Sequence, residues 1–400
     1  MKPHLRPLPW FLLAAALLCL AWFLPDILRV ETKNPEPAEN RRPVSSQRAK
    51  AAPPGDDSAV AAPVDSSVPA SAEVAKLIAR SMDRFLASTG EEESRAILEE
   101  LRAGIRSADS QQAAAAIEDF LKTAKDAPTR LPFVVGPEGL LDLAPTLRTA
   151  LLDLLGALDP ILALEVSRRV MDEMKSPDEY ALALRNLAWN DVDGDLRSEL
   201  SGRLEQMLAF GDWASKPSSG FLEALDASVE ISSKQTFDLI VGVGVQAVGS
   251  SNASLSRAAF VALDRMVLRN PGLLVDAFDA DPALRGLPAE QRASLMSRLD
   301  VTDPKQRETL VHYLSTTTHG DGELDYFSRL FPNGNYLHGN WLITSGEPSH
   351  SIESRLAADK AVLGEIEKLA ASPINQAGRE ALQRIRDRME KIVAEPASGR

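Results

Sequence analysis

The feature that most constrains this chain is a run of short helical segments from Pro145 to Ala209. Apolar residues recur in it at steps of three and four, which places them on one side of a helix. They are Leu147, Leu151, Leu154, Leu155 and Leu158, then Leu162, Val166, Val170 and Met174, then Tyr180, Leu184, Leu187 and Ala188. Asp159-Pro160 and Ser176-Pro177 divide the run, and an Asp or Ser followed by Pro is typical of a helix N-terminus. Helices this short, joined by brief connections, bury their apolar sides only by packing against each other.

Further start and stop signals follow the same rules. Ser176 and Glu179 have the spacing of a capping box, so we expect the Glu179 carboxylate to reach back to the Ser176 N–H. Asp195 is predicted to cap the helix that follows it, and Asp303-Pro304 is another capped start. Asn270-Pro271 is predicted to end a long helix.

The helix pairs from Pro145 to Ala209 resemble HEAT-like and other alpha-solenoid repeats in helix and loop length, without a strict residue-by-residue period. The resemblance implies an all-α fold of antiparallel helix pairs stacked as an irregular helical-repeat array, and it carries over no functional residues. We expect, in order, an N-terminal membrane anchor (1–28), a disordered linker (29–72), a leading helical bundle (73–127), a central helical-repeat array (140–330), a loop region rich in aromatic, Asn and His residues (331–352), a C-terminal helical hairpin (353–393) and a disordered tail (394–400).

The N-terminal segment 7–25 contains no charged residue and follows a short basic stretch. Such a segment is either a signal peptide or an uncleaved membrane anchor. The only small-x-small triplet, 14–16, lies inside the apolar run, which favours an uncleaved single span in contact with the lipid bilayer. Arg29 and Lys33 after the span weaken the orientation signal. We expect a single-pass protein of the cell membrane whose soluble domain is extracytoplasmic (periplasmic).

Composition narrows the classes of function. Residues 31–72 are rich in Pro, Ala and Ser and contain no aromatic residue, so this segment cannot bury enough apolar surface to fold. The chain has 44 Lys and Arg against 57 Asp and Glu, a net charge of -13, which argues against a nucleic-acid partner. Cys19 is the single cysteine, which excludes an intrachain disulfide and a metal site built from several thiolates.

Residues 237–247 have the pattern of an apolar strand that runs into G-x-G-x-x-A, and Asp264 lies near the distance at which a dinucleotide fold places its ribose-binding acid. A pyrophosphate site needs a sustained helix after the glycines, however, and Gly249-Ser250-Ser251-Asn252 interrupts one. We therefore expect a buried helix whose glycines permit close packing, and no cofactor.

Asp191 to Asp195 has the acidic spacing of a calcium loop. An EF-hand needs Gly at its sixth position and Glu at its twelfth, and this register supplies Leu196 and Gly202 instead, so a polar turn is the preferred interpretation. The sequence also contains no G-x-S-x-G, S-x-x-K or Walker A motif. No catalytic, cofactor-binding or metal-binding residue is predicted.

The region from His312 to His350 is unusual because it holds four of the five histidines and three of the four tyrosines. Aromatic and amide side chains on loops are typical of a binding surface. The simpler alternative is that these aromatic residues cap the open end of the helical array. A third interpretation is a metal site formed by His319, Asp321, Glu323 and Asp325, although no H-E-x-x-H motif is present. The possible interaction surface comprises Tyr326, Asn333, Asn335, Tyr336, His338, Asn340 and Trp341.

These features together favour a non-enzymatic, membrane-anchored helical scaffold that binds an unidentified protein of the cell envelope. The alternative is a domain that binds or senses a cell-wall or glycan ligand through residues 319–350. A hydrolase or metal-dependent enzyme comes third.

Overall fold

The computed structural model of the protein describes residues 70–333, 341–344 and 352–394, all within one compact unit of the chain. Within these ranges the regular structure is helical apart from one two-stranded sheet, which confirms the predicted all-α class. The predicted anchor and linker lie outside the described residues, as does most of the predicted loop region. No helix in the described ranges has both the length and the hydropathy of a membrane span.

The elements follow one another with short connections. The N-terminal part contains α1 (Ala70–Ala87), α2 (Glu91–Ser107), α3 (Ser110–Leu121), β1 (Val134–Val135) and β2 (Leu141–Leu143). The central helices are α4 (Leu147–Leu158), α5 (Pro160–Glu173), α6 (Pro177–Trp189), α7 (Arg197–Ala209), α8 (Gly211–Ser215), α9 (Ser219–Glu223), α10 (Asp226–Ile231), α11 (Lys234–Gly249) and α12 (Ala253–Arg269). The C-terminal helices are α13 (Gly272–Phe278), α14 (Ala289–Met296), α15 (Pro304–Ser315), α16 (Glu323–Leu330), α17 (Ile352–Ala370) and α18 (Gln376–Ala394).

The main start signals in the sequence do cap helices. Asp159 accepts a hydrogen bond at 3.0 Å from a backbone N–H in the first turn of α5, and Pro160 is the first residue of that helix. Ser176 accepts the Glu179 N–H at 3.3 Å ahead of α6, and Asp303 caps α15. Each side chain satisfies a backbone N–H that has no partner inside its helix, so these residues fix where the helices begin.

Two predicted capping details are wrong. The Glu179 carboxylate accepts hydrogen bonds from Nε and Nη2 of Arg148, both at 3.0 Å, instead of closing a capping box. A bidentate bond to a guanidinium is stronger than a bond to one backbone amide, so the long-range contact prevails. Asp195 does not cap α7, because that helix has no side-chain cap and the Leu196 N–H donates to Asp191 at 2.8 Å.

The glycine-rich stretch 237–247 lies inside α11, which confirms the predicted helix. A β-carbon at Gly244 would lie 3.0 Å from Leu287 and 3.7 Å from Ala259, so the glycine permits close packing there. Asp264 lies within α12 and not at the end of a strand. The stretch therefore contributes to packing between helices.

The segment 128–139, which lies between the predicted leading bundle and the predicted central array, contains half of a small hairpin. Val134 of β1 pairs with Leu143 of β2 in an antiparallel register, and a 3-10 turn at Pro137–Gly139 joins the strands. Strands of two and three residues are too short to leave a periodic pattern in a sequence. Gly139 of this hairpin turn is part of the candidate site.

One continuous hydrophobic core extends from α1 to α18. Helices that follow one another in the chain pack together, as α5 does with α6 and α11 with α12. At the C-terminal end, α18 packs against both α16 and α17. Neighbouring helices in the chain are therefore neighbours in the core, and this arrangement brings charged residues of separate helices into contact.

Candidate functional site

A four-residue segment, Trp341–Thr344, is bound by side chains from distant parts of the chain, and we call it the strap. It is almost fully buried, from 0% exposed at Leu342 to 8% at Trp341. Its hydrogen-bond partners lie 117 to 154 residues earlier in the chain. The strap site comprises Gly139 of the hairpin turn, Trp189 of α6, Asp226 of α10 and Arg265 of α12.

Asp226 binds the backbone of the strap. Its Oδ2 accepts the N–H groups of Ile343 and Thr344 at 2.9 and 2.8 Å, and its Oδ1 accepts the Thr344 hydroxyl at 2.8 Å. Two consecutive N–H groups that converge on one oxygen form an anion-binding nest. The Asp226 side chain is only 3% exposed, and a buried carboxylate without partners is costly. Asp226 and the strap therefore stabilise each other.

Arg265 contacts the aromatic end of the strap. Its Cζ lies 3.5 Å from the centroid of the Trp341 ring, a cation–π contact. The same guanidinium is 3.5 Å from Asp226, which is long for a hydrogen-bonded ion pair. Within the described part of the chain, the buried Nε of Arg265 has no hydrogen-bond partner. Burial lowers the pKa of Arg265, and burial together with Asp226 raises the pKa of Glu223 nearby. The strap site thus holds a buried cation with few partners.

Gly139 and Trp189 contact the other side of the strap. Gly139 has a φ of 76°, in the left-handed region that favours glycine. A β-carbon there would lie 2.5 Å from the Leu342 carbonyl oxygen and 3.1 Å from that of Trp341. The Trp189 indole N–H donates to the Ile343 carbonyl at 3.4 Å. On this side, the strap is therefore held through its carbonyl groups.

A buried ion pair positions this side of the site. Arg185, 0% exposed, donates to Asp153 Oδ1 at 2.5 Å and to the Gly139 carbonyl at 2.9 Å. Its guanidinium also lies over the Trp189 ring, 4.2 Å from the centroid. Asp153 in turn accepts the Leu141 N–H of β2 at 3.1 Å. The pair therefore fixes both the hairpin turn and the indole that contact the strap.

Five buried or largely buried ion pairs, including the two described above, join elements that are close in the chain. They are Arg148–Glu179, Asp153–Arg185, Asp226–Arg265, Asp264–Arg298 and Arg292–Glu323. The partners are 31 to 39 residues apart, which is about two helices with their connections. This spacing is present in the sequence, but charged residues make up 25% of the chain, so many other pairs have the same spacing. Only the fold shows which pairs meet.

The structure describes part of the predicted interaction surface. Trp341 is buried in the strap site, so in this state it is not a free surface residue. Tyr326 lies on α16, with its ring centroid 5.7 Å from the Arg329 guanidinium, and the Asn333 N–H donates to a backbone carbonyl after α14. The clustering of aromatic residues in the sequence therefore identifies the strap through Trp341. The residues that bind the strap belong to no sequence motif. Asn335, Tyr336, His338 and Asn340 lie outside the described residues.

A second polar cluster surrounds Glu323 at the start of α16. Arg292 Nε and the Tyr313 hydroxyl donate to its carboxylate, both at 3.2 Å, and the Gly320 N–H donates at 2.9 Å. His319 Nδ1 is 3.8 Å from the same carboxylate, and among the described residues the buried His319 Nε2 has no hydrogen-bond partner. An open cleft of about 470 Å³ is lined by His319 and Glu323 together with Thr316, Thr317, Asn375 and Gln376.

The arrangement around Glu323 differs from a metal site. Over the described ranges, no three or more His, Cys, Asp and Glu side chains are grouped as metal ligands. The Glu323 carboxylate already accepts hydrogen bonds from Arg292, Tyr313 and Gly320, so its oxygens are occupied by donors. The cluster therefore orders the turn between α15 and α16.

This cluster makes the stability of the fold depend on acid. Burial alone raises the pKa of Glu323, but the nearby His319 and hydrogen bonds from Arg292 and the Gly320 N–H outweigh burial and lower the pKa from 4.5 to about 2. A carboxyl group with a lower pKa in the folded state stabilises the fold above its unfolded pKa. That contribution is lost as the pH falls from 4.5 towards 2.

We predict that Glu323→Gln lowers the free energy of unfolding at pH 7 by about 1–3 kcal/mol. The difference from wild type should shrink as the pH falls from 4.5 towards 2, because both chains then carry a neutral group at this position. Urea unfolding followed by circular dichroism at several pH values measures this difference in the free energy of unfolding. Asp325→Asn is the matched control, since Asp325 forms an exposed pair with Arg329. A difference that stays constant down to pH 2.5 would contradict the assigned role.

Comparison with known proteins adds no family. No family model matches the chain, and no curated protein matches it. A solved structure from work on the computational design of self-assembling cyclic protein homooligomers is 16% identical, matched over 82% of this chain and 94% of that chain, with a TM-score of 0.12. A TM-score this low carries no argument about fold or function.

Proposed function

We propose that this protein is a non-enzymatic helical scaffold, built as an irregular HEAT-like array and anchored in the cell membrane through residues 7–25, that binds a protein partner in the cell envelope. The strap is the observation that supports it. The domain accommodates a four-residue segment through a buried carboxylate, a guanidinium and a glycine that permits close backbone approach. These are groups that recognise peptide, and they lie on three separate elements held by buried ion pairs.

The predicted topology suits recruitment. A flexible linker of the length of 31–72 holds a domain on the order of 35–40 Å from its anchor on average. In the proposed arrangement the soluble domain is extracytoplasmic and reaches a partner that is not itself close to the bilayer. The net charge of -13 on the whole chain favours a protein partner over nucleic acid.

Crosslinking in intact cells tests the scaffold. Full-length chain with an affinity tag after Arg400 is crosslinked and purified, and one partner is expected to be enriched reproducibly. The matched control is a chain that ends at Ala72, which keeps the anchor and linker and lacks the helical domain. Enrichment of no protein, or of the same proteins by both chains, would contradict the proposal.

A second candidate function is recognition of a cell-wall or glycan ligand. The open cleft of about 470 Å³ beside His319 favours it, because Thr, Asn and Gln side chains that line a cleft offer donors and acceptors to sugar hydroxyls. Titration of the full-length chain with soluble cell-wall fragments tests it. Binding that is lost in Asn375→Ala and kept in Asn190→Ala would favour this candidate over the scaffold.

A further inference from the structure

We propose that the strap is an exchangeable internal ligand, and that the strap site binds a segment of a partner protein in which an aromatic residue precedes a Ser or Thr by three positions. The inference rests on the proposed scaffold function and specifies what the scaffold recognises. It is carried by the state of the Asp226–Arg265 pair and by the contacts of Trp341 and Thr344.

The Asp226–Arg265 pair is held partly open by the strap. In the neighbouring pair, Arg298 donates through Nε and Nη2 to both oxygens of Asp264, at 2.9 and 2.7 Å. Asp226 and Arg265 instead meet at a single distance of 3.5 Å, because the Asp226 oxygens accept three donors of the strap.

Release of the strap therefore does not leave Asp226 without a partner. Arg265 is already 3.5 Å away, and its buried Nε is unpaired among the described residues. A side-chain shift closes the pair, so the strap and Arg265 compete for one carboxylate. An unpaired buried carboxylate is the largest cost expected for an empty site, and Arg265 offsets it.

The site selects its occupant at both ends. Asp226 requires two consecutive backbone N–H groups in a bend, and its second oxygen adds a preference for a hydroxyl at the position of Thr344. Arg265 requires an aromatic ring three positions earlier, at the position of Trp341. Between them, Leu342 is 0% exposed, so an apolar side chain fits there. These requirements define an aromatic-apolar-x-Ser/Thr segment.

A different protein is a better occupant than a second copy of this chain. Exchange of straps between two copies replaces each internal contact by an identical external one and costs the entropy of association. A partner that contacts the domain outside the strap site gains surface that the internal strap does not have, and tethering of its segment raises the local concentration.

Binding of a fluorescent peptide tests the proposal. The probe is a synthetic peptide with the sequence of residues 338–347, and the protein is the full-length chain in detergent, followed by fluorescence anisotropy. Wild type should bind it weakly, because the internal strap competes. The double variant Trp341→Ala/Thr344→Ala weakens that competitor and should bind at least about tenfold more tightly.

Two glycine variants separate the strap site from the rest of the domain. Added to the double variant, Gly139→Ala should abolish peptide binding, because its β-carbon would lie 2.5 Å from a strap carbonyl. Gly194→Ala is the matched control: Gly194 has a similar φ of 83°, and a β-carbon there would meet nothing within 4 Å. A control peptide with Ala in place of its Trp and Thr should bind neither the double variant nor the two glycine variants built on it.

Wild-type chain gives an independent readout if the double variant does not fold. Excess peptide should accelerate hydrogen exchange of the segment that contains Ile343 and Thr344, since a displaced strap no longer bonds Asp226. Exchange that the peptide leaves unchanged in wild type overturns the proposal, as does a folded double variant that binds no better than wild type. Self-association of wild-type protein that the peptide reverses would also overturn the proposal. In that case the occupant of the strap site would be the strap of a second copy of this chain.

The outcome is separable from the test of the scaffold. A partner that crosslinks equally well to wild type and to Gly139→Ala leaves the scaffold function standing and overturns the strap-site inference alone.

Discussion

Replacement of Arg185 by Ala is expected to lower the free energy of unfolding by about 3–5 kcal/mol, since it leaves the carboxylate of Asp153 buried without its charge partner. Arg185 is fully buried and also donates to the Gly139 carbonyl at 2.9 Å, so the hairpin turn loses its support as well. Urea unfolding followed by circular dichroism measures the loss. Removal of both charges in Arg185→Met/Asp153→Leu should cost less than the sum of the single changes.

Arg168→Ala is the matched control for Arg185→Ala. Arg168 makes a bidentate pair with Glu199 of α7, but the two side chains are 41% and 28% exposed. Solvent screens such a pair, so its loss should cost at most about 1 kcal/mol. Equal losses at Arg168 and Arg185 would show that burial of the Asp153–Arg185 pair does not determine its contribution.

The second large effect is expected at Asp226, where replacement by Ala should cost about 3–5 kcal/mol, because Arg265 is then buried without a counter-charge. Thr344→Ala removes one hydrogen bond to the same carboxylate and should cost about 1–2 kcal/mol. Equal losses would mean that the two backbone N–H groups and Arg265 contribute nothing. Asp325→Ala, which removes an exposed carboxylate of α16, is the control and should change the free energy of unfolding by less than about 0.5 kcal/mol.

The helices were predictable because their signals are local. Asp159 and Ser176 act on N–H groups three residues away, so the same residues that suggest a cap in the sequence make it in the structure. The capping box at Glu179 fails for the opposite reason. Its competitor Arg148 is 31 residues distant, and no local rule includes it.

The sequence pointed to a residue of the strap but not to the residues that bind the strap. Trp341 attracts attention because aromatic residues are scarce, at 5% of the chain. Its location depends on Asp226 and Arg265, which lie in helices without any local motif that would distinguish them from other charged residues. Gly139 likewise reads as a loop glycine, and its close approach to the strap carbonyls follows from tertiary structure alone.

The long separation between the strap and its partners has a kinetic consequence. Asp226 precedes Ile343 by 117 residues, and contacts between such distant residues form late because the intervening chain must first be ordered. Interactions absent from the folding transition state slow unfolding without accelerating folding. We therefore expect each newly synthesised molecule to assemble the strap site before the strap binds there, and in that interval the proposed partner segment would face no internal competitor.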